Sequence, residues 1–111
     1  MSKELAHEIA QLHAEVCQAL GHPKRILIFY ELSQGKKSVS ELAEALGMSQ
    51  ATASRHLKVL RDRAMVTTER EGVNIYYSLA DRRIIQALDL LREVLASILE
   101  RRKELAEAIS E

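Results

Sequence analysis

Tryptophan is absent from the 111 residues, phenylalanine occurs once, and aromatic side chains make up only 4% of the chain. A core without large rings must be built from aliphatic side chains, which favours packed helices. The single cysteine, Cys17, excludes an intrachain disulfide and suits a reducing compartment. No apolar run approaches the roughly 20 residues that span a bilayer. The stretch from Met1 to Glu8 is charged and carries no apolar signal core. A cytoplasmic location with no membrane partner is therefore expected. Charge of one sign is not in excess either: 16 Lys and Arg balance 16 Asp and Glu. That neutrality counts mildly against a nucleic-acid partner, for which a basic balance is usual. Repeats, low-complexity stretches and linkers are missing, so the length is read as one domain, 1–111, with a modest core that an oligomer would help to bury.

What is present is helical periodicity. Leu5, Ile9, Leu12, Val16 and Leu20 recur on one face and predict a first helix over 3–20, closed by Gly21 and His22. Pro23 suits the first turn of a second helix, which runs through Ile26, Leu27, Ile28, Phe29 and Leu32 to Ser33 before Gln34-Gly35. His22, just ahead of it, is read as support for that helix start. Ser38-Val39-Ser40-Glu41 matches a capping box and opens a third helix with Leu42, Ala43 and Leu46 inward. Gly47 breaks it, and Ser49 caps a fourth helix from Gln50 to about Arg63 with Ala53, Leu57 and Leu60 inward. Val66–Arg70 and Asn74–Leu79, rich in β-branched and aromatic residues and split by Glu71-Gly72, predict a β-hairpin. Its Tyr76 and Tyr77 should face opposite ways, one packed and one exposed. Asp81 can cap a last helix reaching about Ala108, with Ile84, Leu88, Leu91, Leu95, Ile98 and Leu105 as its stripe. At 1.5 Å per residue that helix spans roughly 40 Å, more than one small chain can cover.

Two helices joined at a glycine and followed by a hairpin make a helix-turn-helix (38–63) with a wing (66–79). The expected fold is mainly α with a small hairpin, in the order α1-α2-α3-α4-β-β-α5. The local charge supports a nucleic-acid role where the sum does not: Arg55, Lys58, Arg61 and Arg63 stand against Asp62 alone between Ser49 and Arg63. On the fourth helix Gln50, Thr52, Ser54 and Arg55 are the candidates for base edges, since Gln pairs with adenine and Arg with guanine. Ser49, His56, Lys58, Arg61 and Arg70 are the candidates for phosphates; His56 can alternatively sit at the helix–helix boundary.

Leu20-Gly21-His22-Pro23-Lys24-Arg25-Ile26-Leu27-Ile28 resembles the opening signature of ArsR/SmtB-family regulators. Ser38–Leu46 resembles their third helix, and the run from Ser49 to Leu60 resembles their recognition helix. Arg70-Glu71-Gly72 with Tyr76-Tyr77 resembles their wing. The resemblance covers about Val16 to Asp81 strongly and the outer helices in pattern only. It implies a homodimer built from the helices at 1–20 and 81–108, a palindromic operator in double-stranded DNA, repression, and release by an effector.

Two metal sites known in that family have no counterpart here. The Cys-x-Cys at the start of the third helix corresponds to Ser38-Val39-Ser40, whose hydroxyls cannot replace thiolates for a soft ion. The Asp/His and His/Glu set of the last helix corresponds to Asp81, Arg83, Val94 and Ser97. No metal or cofactor is expected. Cys17, with His13 four residues before it, is the remaining candidate for an effector or redox site; its alternative is a small buried hydrophobe. No nucleophile–base pair, phosphate loop or carboxylate pair points to catalysis. Two other functions stay open: a winged-helix protein-interaction module, and a DNA-binding protein without any effector.

Overall fold

A computed structural model describes residues 1–110. The chain divides into two compact units, one ending at Asp81 and one starting at Arg82. In the first unit, helix α1 (Lys3–Leu12) is capped by Ser2, whose Oγ accepts from the Leu5 amide at 3.1 Å. The helix predicted over 3–20 is not one regular α-helix: the α part stops at Leu12, and the helical backbone continues only through Cys17. The backbone widens at His13–Cys17 into a π turn, in which the Gln18 amide donates to the His13 carbonyl at 2.9 Å. The reason is tertiary. Arg63 Nη1 donates to the Ala14 carbonyl, and Arg25 Nη1 donates to the carbonyls of Gln18 at 3.3 Å and Ala19 at 3.1 Å. Side chains from elsewhere thus satisfy carbonyls that a continuing ladder would have used.

Helix α2 (Pro23–Leu32) begins with proline, and the His22 ring caps it: Nδ1 accepts from the Lys24 amide at 3.1 Å. Its Ile28, Phe29 and Leu32 are buried. Helix α3 (Val39–Leu46) carries the full capping box, Ser38 Oγ accepting from the Glu41 amide and Glu41 Oε1 accepting from the Ser38 amide. The hydrogen bond from the Ser38 backbone amide foremost, and the Ser38 side chain after it, hold the Glu41 carboxyl below the usual carboxylate range.

Helices α3 and α4 (Gln50–Asp62) end alike. After α3 the Gly47 amide donates to Glu44 and the Met48 amide to Ala43; after α4 the Ala64 amide donates to Arg61 and the Met65 amide to Leu60. Both are Schellman motifs, which need a left-handed residue. Gly47 supplies it at φ 64°, and Ala64 at φ 57°.

Strands β1 (Val66–Glu71) and β2 (Asn74–Leu79) pair antiparallel, with Val66 opposite Leu79 and Glu71 opposite Asn74. Glu71 therefore belongs to the ladder, and the turn is Gly72-Val73, one residue later than the sequence suggests. A two-residue hairpin loop wants positive φ at its first position, and Gly72 provides 63°. A one-residue bridge adds to this ribbon: Lys37 and Tyr77 exchange backbone hydrogen bonds of 3.1 and 2.8 Å. Both Tyr76 and Tyr77 are half-buried, so neither is the exposed one. The core of the unit is Ala19, Ile28, Phe29, Leu32, Leu42, Ala43, Ala53, Leu57, Leu60 and Val66.

The second unit is helix α5 (Arg83–Ser110), 28 residues long. Leu88 is buried, while Leu91, Leu95 and Leu105 of the predicted stripe are 60%, 53% and 64% exposed. Among the described residues no helix is long and apolar enough to cross a membrane. The winged-helix element order read from the sequence is the one observed.

Candidate nucleic-acid interface

Helix α4 separates its two tasks by face. Ala53, Leu57 and Leu60, at helical spacing, are fully buried and fix the helix to the core. Gln50, Ala51, Ser54, Arg55, Lys58 and Arg61 are exposed on the other side. Of the two alanines near the start of α4, Ala53 is buried and Ala51 is exposed.

The polar residues at the start of α4 are connected. Ser49 Oγ accepts from the Thr52 amide at 3.1 Å and donates to Thr52 Oγ1 at 2.9 Å. Arg55 Nη2 donates to the same Thr52 Oγ1 at 3.2 Å. Further along, Lys58 Nζ lies 3.0 Å from Asp62 Oδ2, an exposed pair one turn apart. Arg61 and Arg70 are exposed at the end of α4 and on β1.

His56 is placed differently from its neighbours. It is half-buried, its ring centroid lies 4.5 Å from that of His22, and its Nδ1 accepts from Arg25 Nε at 3.3 Å. Burial above all holds its pKa below the ordinary imidazole value, and the charges of His22, Arg25, Lys24 and Arg55 add to that. The ring is an uncharged joint between α2 and α4, at the helix–helix boundary rather than on the outer face.

Two contributors were not singled out from the sequence. Arg25 joins α2 to both α4 and the residues after the π turn, as described. Lys36 ties the α2–α3 connection to the wing: its ammonium pairs with Glu71, lies 3.9 Å from Glu69 and sits 5.3 Å from the Tyr76 ring centre. The hydrogen bond with Glu71 raises the Lys36 pKa and lowers that of Glu71. The basic pair Lys36-Lys37 beside a capping box was the only sequence signal for it.

Cys17 is exposed, at the end of the π turn that begins with His13. It is not a small buried hydrophobe within this chain. The family's thiolate site does not fit the start of α3, where Ser38 Oγ is committed to the capping box. Among the described residues no three or more His, Cys, Asp or Glu gather into a metal-holding group.

The family described as "Bacterial regulatory protein, arsR family" matches residues 22–68, which run from the cap of α2 into the wing. One relative, the HTH-type transcriptional regulator NmtR of Mycobacterium tuberculosis, is 41% identical over 79% of this chain and 73% of its own length. This chain belongs to the ArsR family. The resemblance read from residues 20–28 and 49–60 is borne out. A biofilm growth-associated repressor of Agrobacterium fabrum is 41% identical to this ArsR-family chain, over 68% of it and 67% of the repressor. Among solved structures, the homodimeric winged helix-turn-helix DNA-binding domain of a possible ArsR-family regulator from Mycobacterium bovis superposes with a TM-score of 0.73. It is 32% identical, over 86% of this chain and 88% of that one. An ArsR-family chain is a regulatory protein of the winged helix-turn-helix type, not an enzyme.

Proposed function

We propose that the chain is a cytoplasmic, homodimeric repressor that binds double-stranded DNA through α4, with the hairpin as its wing. The observation that carries this is the division of α4: a fully buried face of Ala53, Leu57 and Leu60, and an outward face of polar and basic side chains. A helix that enters a major groove needs just such a division. Gln50, Ser54 and Arg55 are the side chains for base edges. Lys58, Arg61 and Arg70 are those for phosphates. His56 leaves that set for the joint with Arg25.

The homodimer rests on apolar surface. No residue of α1 is buried, and Leu5, Ile9 and Leu12 are exposed on it. Along α5, Leu90, Leu91, Val94, Leu95 and Leu99 are exposed as well. Faces of this kind on two helices are what a second copy would cover. Two copies related by a two-fold axis would present two α4 helices, so an imperfect palindrome is the expected operator.

The test is binding of the full chain to the promoter region of its own gene and to random duplex, each at two salt concentrations. Preference for the promoter, weakening as salt rises, supports the reading. Absence of DNA binding at low salt overturns it.

A further inference from the structure

Resting on the DNA-binding role proposed above, we infer that Thr52 does not itself read a base but is the positioning residue for Arg55, the side chain that reads a guanine. The two were given the same role on sequence grounds, and their hydrogen bonds separate them. A threonine hydroxyl has two acceptor lone pairs and one proton. Thr52 Oγ1 accepts from Ser49 Oγ at 2.9 Å and from Arg55 Nη2 at 3.2 Å, so both lone pairs are occupied, it can accept nothing from a base, and only its one proton, on a half-buried side chain, is uncommitted. Ser49 in turn has given its only proton to Thr52 while accepting from the Thr52 amide at 3.1 Å. A phosphate oxygen offers no proton, so Ser49 has nothing to donate to it unless this bond is broken. The three residues follow one another at a spacing of three on α4, with Ser49 and Arg55 exposed and Thr52 half-buried between them.

The consequence falls on the guanidinium. Arginine pays heavily in rotamer freedom when it is fixed against a base, and a partner that holds it beforehand lowers that cost. With one Nη2 proton on Thr52, the other Nη2 proton and those of Nη1 stay available. That pair is the fork that recognises O6 and N7 of guanine. The side chain is therefore held by an uncharged acceptor, which orients it without neutralising it.

The experiment uses the full-length chain and a random duplex library, from which the wild type selects a preferred duplex. A panel of duplexes with each base pair replaced in turn then gives discrimination at every position. Arg55→Ala should lose discrimination at one G·C pair. Thr52→Val, which keeps the shape and removes the hydroxyl, should weaken discrimination at that same pair by roughly fivefold or more. It should leave affinity for random duplex and the salt slope unchanged, and Thr52→Ser should restore the discrimination. Loss at a different base pair would show that Thr52 reads DNA directly and would overturn the inference. So would an equal loss on every sequence, or wild-type discrimination in Thr52→Val. If the wild type binds duplex but Arg55→Ala shifts no position, the inference alone fails. If the wild type binds no duplex at all, the DNA-binding role fails with it.

Discussion

Arg25 Nε donates to His56 Nδ1 at 3.3 Å, while the same guanidinium holds the carbonyls of Gln18 and Ala19. One cation thus fastens the outward-facing helix to the start of α2 and to the residues that follow the π turn. The arrangement works only while the His56 nitrogen has a lone pair to offer. An imidazolium would present a proton to a guanidinium that also presents one.

This gives a pH dependence whose sign is fixed. The His56 pKa is lowered in the folded state, chiefly by burial. In the unfolded chain the ring takes a proton near its ordinary value of about 6.5. Above that pH both states are neutral and the contribution is complete. As pH falls below it, the unfolded state binds the proton first, so stability drops until the folded pKa is passed. Melting temperatures between pH 7.5 and 5 should fall for the wild type and fall less for His56→Gln. The carboxylates Glu41 and Glu71, also lowered, lose their contribution in a separate window below about 4.5. Parallel curves for wild type and His56→Gln above pH 5 would refute the assignment.

The paired helix ends make a second prediction. Gly47 and Ala64 occupy the same left-handed position of the same motif, at φ 64° and 57°. Alanine is strained there by about 1 kcal/mol or more, whereas glycine is not. Glycine costs part of that back through the freedom it adds to the unfolded chain. Ala64→Gly should therefore stabilise the fold by roughly 0.5–1 kcal/mol, raising the melting temperature by several degrees. Urea denaturation of the two proteins checks this; a lower midpoint in Ala64→Gly would contradict it.

A third prediction concerns Lys58, whose ammonium is shared with Asp62 at 3.0 Å. Both side chains are exposed, so the pair is worth only about 0.3–0.5 kcal/mol. A phosphate can displace the carboxylate, but the carboxylate still repels it. Asp62→Asn should tighten binding to every duplex alike and steepen the salt slope by about 1, with almost no change in stability. Salt titrations of wild type and variant on one duplex measure it. An unchanged slope and affinity would place Lys58 away from the DNA backbone.

What could be foreseen from the sequence was local in the chain. The capping box of Ser38 and Glu41, the glycine stop at 47, the cap at Ser49 and the hairpin each depend on residues within a few positions of one another. What could not be foreseen joins distant residues. Apolar spacing from Leu5 to Leu20 carries no information about Arg63, 49 positions from Ala14, whose guanidinium meets the π turn. Nor does it show Arg25 meeting His56, 31 positions apart, or Lys36 meeting Glu71, 35 apart. The bridge of Lys37 to Tyr77 is one residue wide and leaves no periodic trace. For the candidate interface the residue types were legible and their division of labour was not. Hydroxyl protons and lone pairs decide whether Ser49 and Thr52 face a ligand or each other, and a ring lone pair turns His56 to Arg25.

The two faces of α4 have a consequence for how such a protein can change. Its anchoring depends on Ala53, Leu57 and Leu60, and none of the exposed positions 50, 54, 55 or 58 contributes to the buried core. On the DNA-binding role proposed for α4, replacing those four side chains would rewrite the address without disturbing the scaffold that carries it. On that role, a lineage built on this frame would acquire new targets by surface exchange alone, each step being tolerated by folding before it is judged by binding.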